Sequence, residues 1–115
     1  MSKLEIIDKN NIEIAKTPHN VDIRKLYSFE HASIVHIELK SGEALKRHVT
    51  PVDVFFYILE GQGEVEIGSE KKVIRKDQLI FSPMNIVHRL LNPFEHNFRF
   101  LVIKTPTPTK ETKFL

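Results

Sequence analysis

The sequence contains no cysteine. Disulfides, zinc ribbons, thiolate redox chemistry and cysteine nucleophiles are therefore excluded. No sign of charge dominates: 17 Lys and Arg stand against 15 Asp and Glu, a net +2. The basic residues are also scattered, which argues against a nucleic-acid-binding face. Long apolar runs are missing. The longest, Val54 to Leu59, is far short of the ~20 residues a membrane helix needs. The start, MSKLEIIDKN, has charges where a signal peptide would be apolar, so a cytoplasmic location is expected. Nowhere do apolar residues recur at three and four over three turns, so no helix is expected, and with it no helix-turn-helix. Internal repeats and low-complexity tracts are absent too.

A chain of 115 residues allows one domain, which buries roughly two thirds of its unfolded surface. Its 41% hydrophobic and 28% charged residues are those of an ordinary globular protein. Its six histidines matter more. Without cysteine, any metal site must be built from His and carboxylates.

β-branched and aromatic residues come in short runs separated by turn residues. Strands are predicted near 12–15, 21–27, 33–39, 45–49, 54–59, 64–67, 71–74, 79–81, 87–91 and 98–104. Such regular spacing predicts an all-β sandwich or barrel. Residues 1–20 read as an N-terminal strand or arm, 21–104 as the barrel and 105–115 as an extended tail. Within the tail, Phe114 and Leu115 are expected to fray. Val35, Ile37 and Leu39 share one face of their strand and His36, Glu38 and Lys40 the other. Val54–Leu59 and Phe100–Ile103 are apolar on both faces. A small barrel gives each strand one interior face, so the outer one is expected to be covered by a second subunit in a homodimer. Cover by the chain's own N-terminal strands is the alternative.

Two stretches carry motifs. In the first, Gly42, His48 and Gly61 fall at the spacing of the first cupin motif (G, five residues, H-x-H, three or four residues, E, six residues, G). In the second, Pro83, His88 and Asn92 fall at the spacing of the second (G, five residues, P-x-G, two residues, H, three residues, N). The region from Val21 to Lys104 thus resembles the cupin superfamily, and the resemblance implies a double-stranded β-helix, a jelly-roll-like barrel. The departures are specific. Thr50 stands where a second His belongs, Val54 where a Glu belongs with Asp53 beside it, and Asn85 for the Gly of P-x-G. Asn at that last position is a mild change, because it tolerates positive φ.

The resemblance implies a divalent metal, such as Mn, Fe, Ni or Zn, inside the barrel on His and Glu. By position it leaves His48 and His88, with Asp53 as the candidate third ligand. Alternation cannot be carried from His48 to Asp53, because Pro51 interrupts the strand. Thr50 and Tyr57 are candidate ligand-binding residues. Three functions stay open: a metal-dependent enzyme on a small oxygenated substrate, a metal-independent small-molecule binder or sensor, and a structural unit. His19, His31 and His96 read as loop residues, and His36 as a surface or interface residue. Arg24, Lys46 and Arg47 read as a solvated face.

Overall fold

The computed structural model describes residues 3–115. Its strands are β1 (Asp22–Phe29), β2 (Ala32–Leu39), β3 (His48–Val49), β4 (Asp53–Glu60), β5 (Gln62–Ile67), β6 (Glu70–Arg75), β7 (Leu79–Ser82), β8 (Val87–Leu91), β9 (Phe98–Thr105) and β10 (Lys113–Phe114). They form two antiparallel five-stranded sheets, ordered β1-β2-β9-β4-β7 and β10-β3-β8-β5-β6. The expected all-β fold is present, and no α-helix occurs among the described residues.

Register follows from burial. In the first sheet Ile23, Ile37, Phe100 and Ile58 form one inward row across four strands. A second row runs Lys25, Val35, Val102, Phe56, Ile80, and a third Ser33, Lys104, Val54, Ser82. From the second sheet Val65, Ile74 and Leu90 face them and complete the core. A slip of one residue would send each row to solvent, so the apolar alternation fixes the pairing.

Three segments differ from the sequence reading. Residues 12–15 form no strand: Ala15 N–H donates to the Ile23 carbonyl at 2.7 Å, without a continuing ladder. The segment at 45–49 shortens to His48–Val49, because upstream only Leu45 N–H to Leu90 O and a bridge from Ala44 to Leu91 tie it to β8. The tail folds back, and Lys113 and Phe114 pair with Val49 and His48. Phe114 is held by packing rather than frayed, since its ring lies 5.0 Å from that of His19 and 5.8 Å from that of His48.

Two glycines are required by close approach. Gly61 has φ +76°, and a Cβ there would strike the Asn97 carbonyl. At Gly63 a Cβ would strike the ring of Phe98, which is fully buried. Gly42, at φ +84°, has open space around it. Urea denaturation should therefore rank three alanine variants. Gly42→Ala should cost about 1 kcal/mol from backbone conformation alone. Gly63→Ala should cost about 1–3 kcal/mol from overpacking, and Gly61→Ala, which suffers both, the most. Equal losses would contradict this packing.

Candidate functional site

The space between the sheets narrows to a cavity of about 200 Å³, with His48, Thr50 and His88 at one end and Ile23, Ile37, Val54, Phe56 and Val102 along its walls. His48 and His88 are directly paired residues on β3 and β8, so both side chains leave the same face of the second sheet. Thr50 follows His48 at the same parity and is buried with them. Ser82, from β7 of the opposite sheet, reaches the same point.

The protons of this cluster can be placed from one carbonyl. His48 Nδ1 lies 2.7 Å from the Lys46 carbonyl oxygen. That oxygen can only accept, so Nδ1 carries the hydrogen and Nε2 of neutral His48 is bare. His88 Nε2 lies 3.1 Å from His48 Nε2. Two bare nitrogens would repel at that distance, so His88 donates from Nε2. His88 Nδ1 is then the acceptor for the Ser82 hydroxyl at 2.6 Å. Thr50 Oγ1, 3.2 Å from His88 Nε2, shares that donated hydrogen and keeps its own O–H free.

The cluster is neutral. Burial, followed by the charges of His48, Lys104 and His19, lowers the pKa of His88 to about 3. Burial also lowers that of His48. His19, in the turn before β1, accepts the Lys46 N–H on Nδ1 at 2.9 Å and therefore keeps a hydrogen on Nε2. Its pKa is lowered to about 4, first by burial and then by His48, Lys104 and Lys46.

Of the sequence candidates, the fold brings together His48, His88 and Thr50 and leaves out Asp53 and Tyr57. On β4 the inward residues are Val54, Phe56 and Ile58, so Asp53 and Tyr57 face outward. Asp53 Oδ1 accepts the Met84 N–H at 2.9 Å and ties down the β7–β8 turn. Tyr57 donates to Asp77 Oδ1 at 3.3 Å. Asn92 is a structural clasp: its amide donates to the Leu39 and His96 carbonyls, and its Oδ1 accepts from Phe94 N–H. Asn85 takes the expected positive φ, 62°. Two readings of other histidines change. His19 lines the cavity rather than a free loop. His36 is on the outer face as expected, but buried there, accepting from Arg99 at 2.8 Å.

Sequence reasoning missed Lys104. It continues the inward series Phe98, Phe100, Val102 on β9, pairs directly with Val54 and lines the cavity. The signal was the alternation itself, extended by one step. Burial, then Lys25, lowers the Lys104 pKa.

A divalent metal does not fit this donor set. A catalytic metal site needs about three protein ligands. Among the described residues no three His, Asp or Glu side chains converge. The position that the cupin pattern gives to Glu is Val54, and its cross-strand neighbour is a cation, Lys104.

The buried histidine has a measurable consequence. Between pH 6.5 and about 3, unfolded His88 takes up a proton that the folded form refuses. Stability is therefore complete above pH 6.5 and falls as pH drops, by about 1.4 kcal/mol per unit for such a group. His19 and His36, both lowered to about 4, act in the same sense. Urea midpoints should fall between pH 7 and pH 5, and His88→Gln should reduce that difference. An unchanged difference in the variant would contradict a neutral buried His88.

Comparison with known proteins agrees with this architecture. The family model described as "Cupin domain" matches residues 35–104. An uncharacterized protein of Methanocaldococcus jannaschii is 27% identical over 89 residues, which cover 76% of this chain and 77% of that one. Polyketide synthase CurC of Streptomyces cyaneus is 29% identical over 73 residues, 63% of this chain and 47% of that protein, so the match spans about half the relative's length. The crystal structure of TT1209 from Thermus thermophilus superposes with a TM-score of 0.77 at 26% identity, covering 91% of this chain and all of that one. The barrel, the paired His48 and His88 and the family match lead to one conclusion: the chain belongs to the cupin family.

Proposed function

We propose that this cupin binds a small organic molecule inside its barrel without a metal. The observation that carries the reading is that the two imidazoles satisfy each other across 3.1 Å, while the neighbouring cavity wall supplies Lys104 rather than a carboxylate. A cation placed there would meet two nitrogens already hydrogen-bonded and a positive charge. The cavity itself has the features of a ligand site: apolar walls with a few convergent polar groups at one end. Elemental analysis of untagged protein for Mn, Fe, Co, Ni, Cu and Zn tests this. The expected result is far less than one atom per subunit, including after dialysis against those metals. Near-stoichiometric metal that disappears in a His48→Ala, His88→Ala double variant would overturn it and restore the metal-dependent reading.

We also propose that the working unit is a homodimer joined through the outer face of the first sheet. On that face Tyr27, Ile34, Ile103, Phe55 and Phe81 form one apolar row across all five strands. The chain's own N-terminal arm touches this row at Tyr27, which donates to Glu5 Oε2 at 2.7 Å, but leaves Leu4 and Ile6 89% and 82% exposed. A five-strand row spans about 19 Å at the usual strand spacing, enough to seat an identical row across a two-fold axis. Size-exclusion chromatography with light scattering should give a dimer, and Ile103→Asp should give a folded monomer. A wild-type monomer at tens of micromolar would refute the assembly.

A further inference from the structure

Lys104 is half-buried at the cavity wall, yet it takes part in none of the chain's ion pairs among the described residues. A charge partly withdrawn from water gains from a partner of opposite sign. No Asp or Glu lines the cavity that Lys104 faces, which leaves that role to a ligand.

The hydrogen-bond directions point the same way. The chain of donors that starts at the Lys46 carbonyl uses up every histidine lone pair in the cluster. His48 Nε2 is occupied by His88, and His88 Nδ1 by Ser82. His19 Nδ1 is occupied by Lys46 N–H. What remains for a ligand is the Lys104 ammonium, the His19 Nε2 hydrogen and the hydroxyls of Thr50 and Thr17, the latter buried without a hydrogen-bond partner. The two nitrogen groups only donate, and the hydroxyls can donate or accept. A carboxylate would find hydrogens and a positive charge there, whereas a cationic group would meet Lys104.

The rest of the cavity sets the body of the ligand. Ile23, Ile37, Val54, Phe56 and Val102 offer no hydrogen bond, and Phe114 covers the side by His19 and His48. The volume, about 200 Å³, is smaller than the ~300 Å³ at which drug-sized pockets begin. It is larger than the ~150 Å³ apolar cavity that accepts benzene. Only one half-buried cation faces the ligand, since Lys25 at the rim is exposed to water.

We propose that the cavity selects a small apolar monocarboxylate of about benzoate's size, with its carboxylate on Lys104 and Thr50 and its hydrocarbon end among Ile37, Val54, Phe56 and Val102. This rests on the metal-independent reading above. Phe114 lies at the cavity mouth, on a segment held by the two-residue β10 pairing and by a hydrogen bond from Leu115 N–H to the Arg47 carbonyl.

The test uses the full chain in chelator, with thermal midpoint and calorimetric titration as readouts. The probes are benzoate, 3-methylbutanoate, benzamide, benzylamine, toluene and inorganic phosphate. At least one of the two carboxylates should raise the midpoint in a concentration-dependent way, with benzamide, benzylamine and phosphate at least tenfold weaker. Lys104→Met should abolish the carboxylate response. Its own midpoint, close to wild type because only a half-buried, unpaired charge has been removed, shows that it is folded. Benzamide or benzylamine binding as well as the carboxylates, phosphate alone doing as well, or an undiminished carboxylate response in Lys104→Met would overturn the ligand class while leaving a binding cavity. If neither the carboxylates nor toluene shifts the midpoint, the small-molecule reading itself fails.

Discussion

Two imidazole nitrogens 3.1 Å apart inside a barrel must share something, a proton or a cation. The chemistry of this chain depends on which. The Lys46 carbonyl pins the hydrogen of His48 on Nδ1, and the direction of each following hydrogen bond is then determined as far as Ser82 on the opposite sheet. The pair thus links the two sheets through a buried neutral chain, in a place where an unpaired polar atom would be costly. Burial keeps that chain uncharged at neutral pH. In the proposed reading, its completeness leaves no histidine lone pair in the cluster for a metal or a ligand.

The strand pattern makes this cluster possible. Pairing of β3 with β8 sets His48 opposite His88. The row Lys104, Val54, Ser82 on the facing sheet brings a cation and a hydroxyl toward them. Changing Glu to Val at one position of the cupin pattern removes an anion, and the neighbouring strand contributes a lysine. Together these two residues take an anion away from the end of the cavity and add a cation, and the proposed anion selectivity rests on that change.

Much of this was legible in the sequence. Alternation identified the inward face of β2, because one buried face per strand imposes a period of two, whereas β4 and β9 are apolar on both faces in the sequence and only the fold shows which side is inside. Motif spacing placed His48, His88 and Thr50 together. The failures have local causes. Asp53 and Tyr57 share the outward parity of β4, which could have been counted from Val54, but Pro51 prevented counting from His48. Lys104 continues the inward series from Phe98, but a lysine at an inward position contradicts the usual burial preference and so escapes a reading based on apolar alternation. His19 and Phe114 sit in a turn and a two-residue strand, and segments that short carry no periodicity. Only the tertiary fold brings them to the cavity mouth.

The direct measurement is the protonation of the two imidazoles in the ¹⁵N-labelled protein, by long-range ¹H–¹⁵N correlation at pH 7 in chelator. The structure requires both rings to be neutral, with the hydrogen of His48 on Nδ1 and that of His88 on Nε2. Finding both Nε2 atoms bare, or either ring charged, would contradict the hydrogen-bond chain and with it the case for a metal-free, anion-selecting barrel.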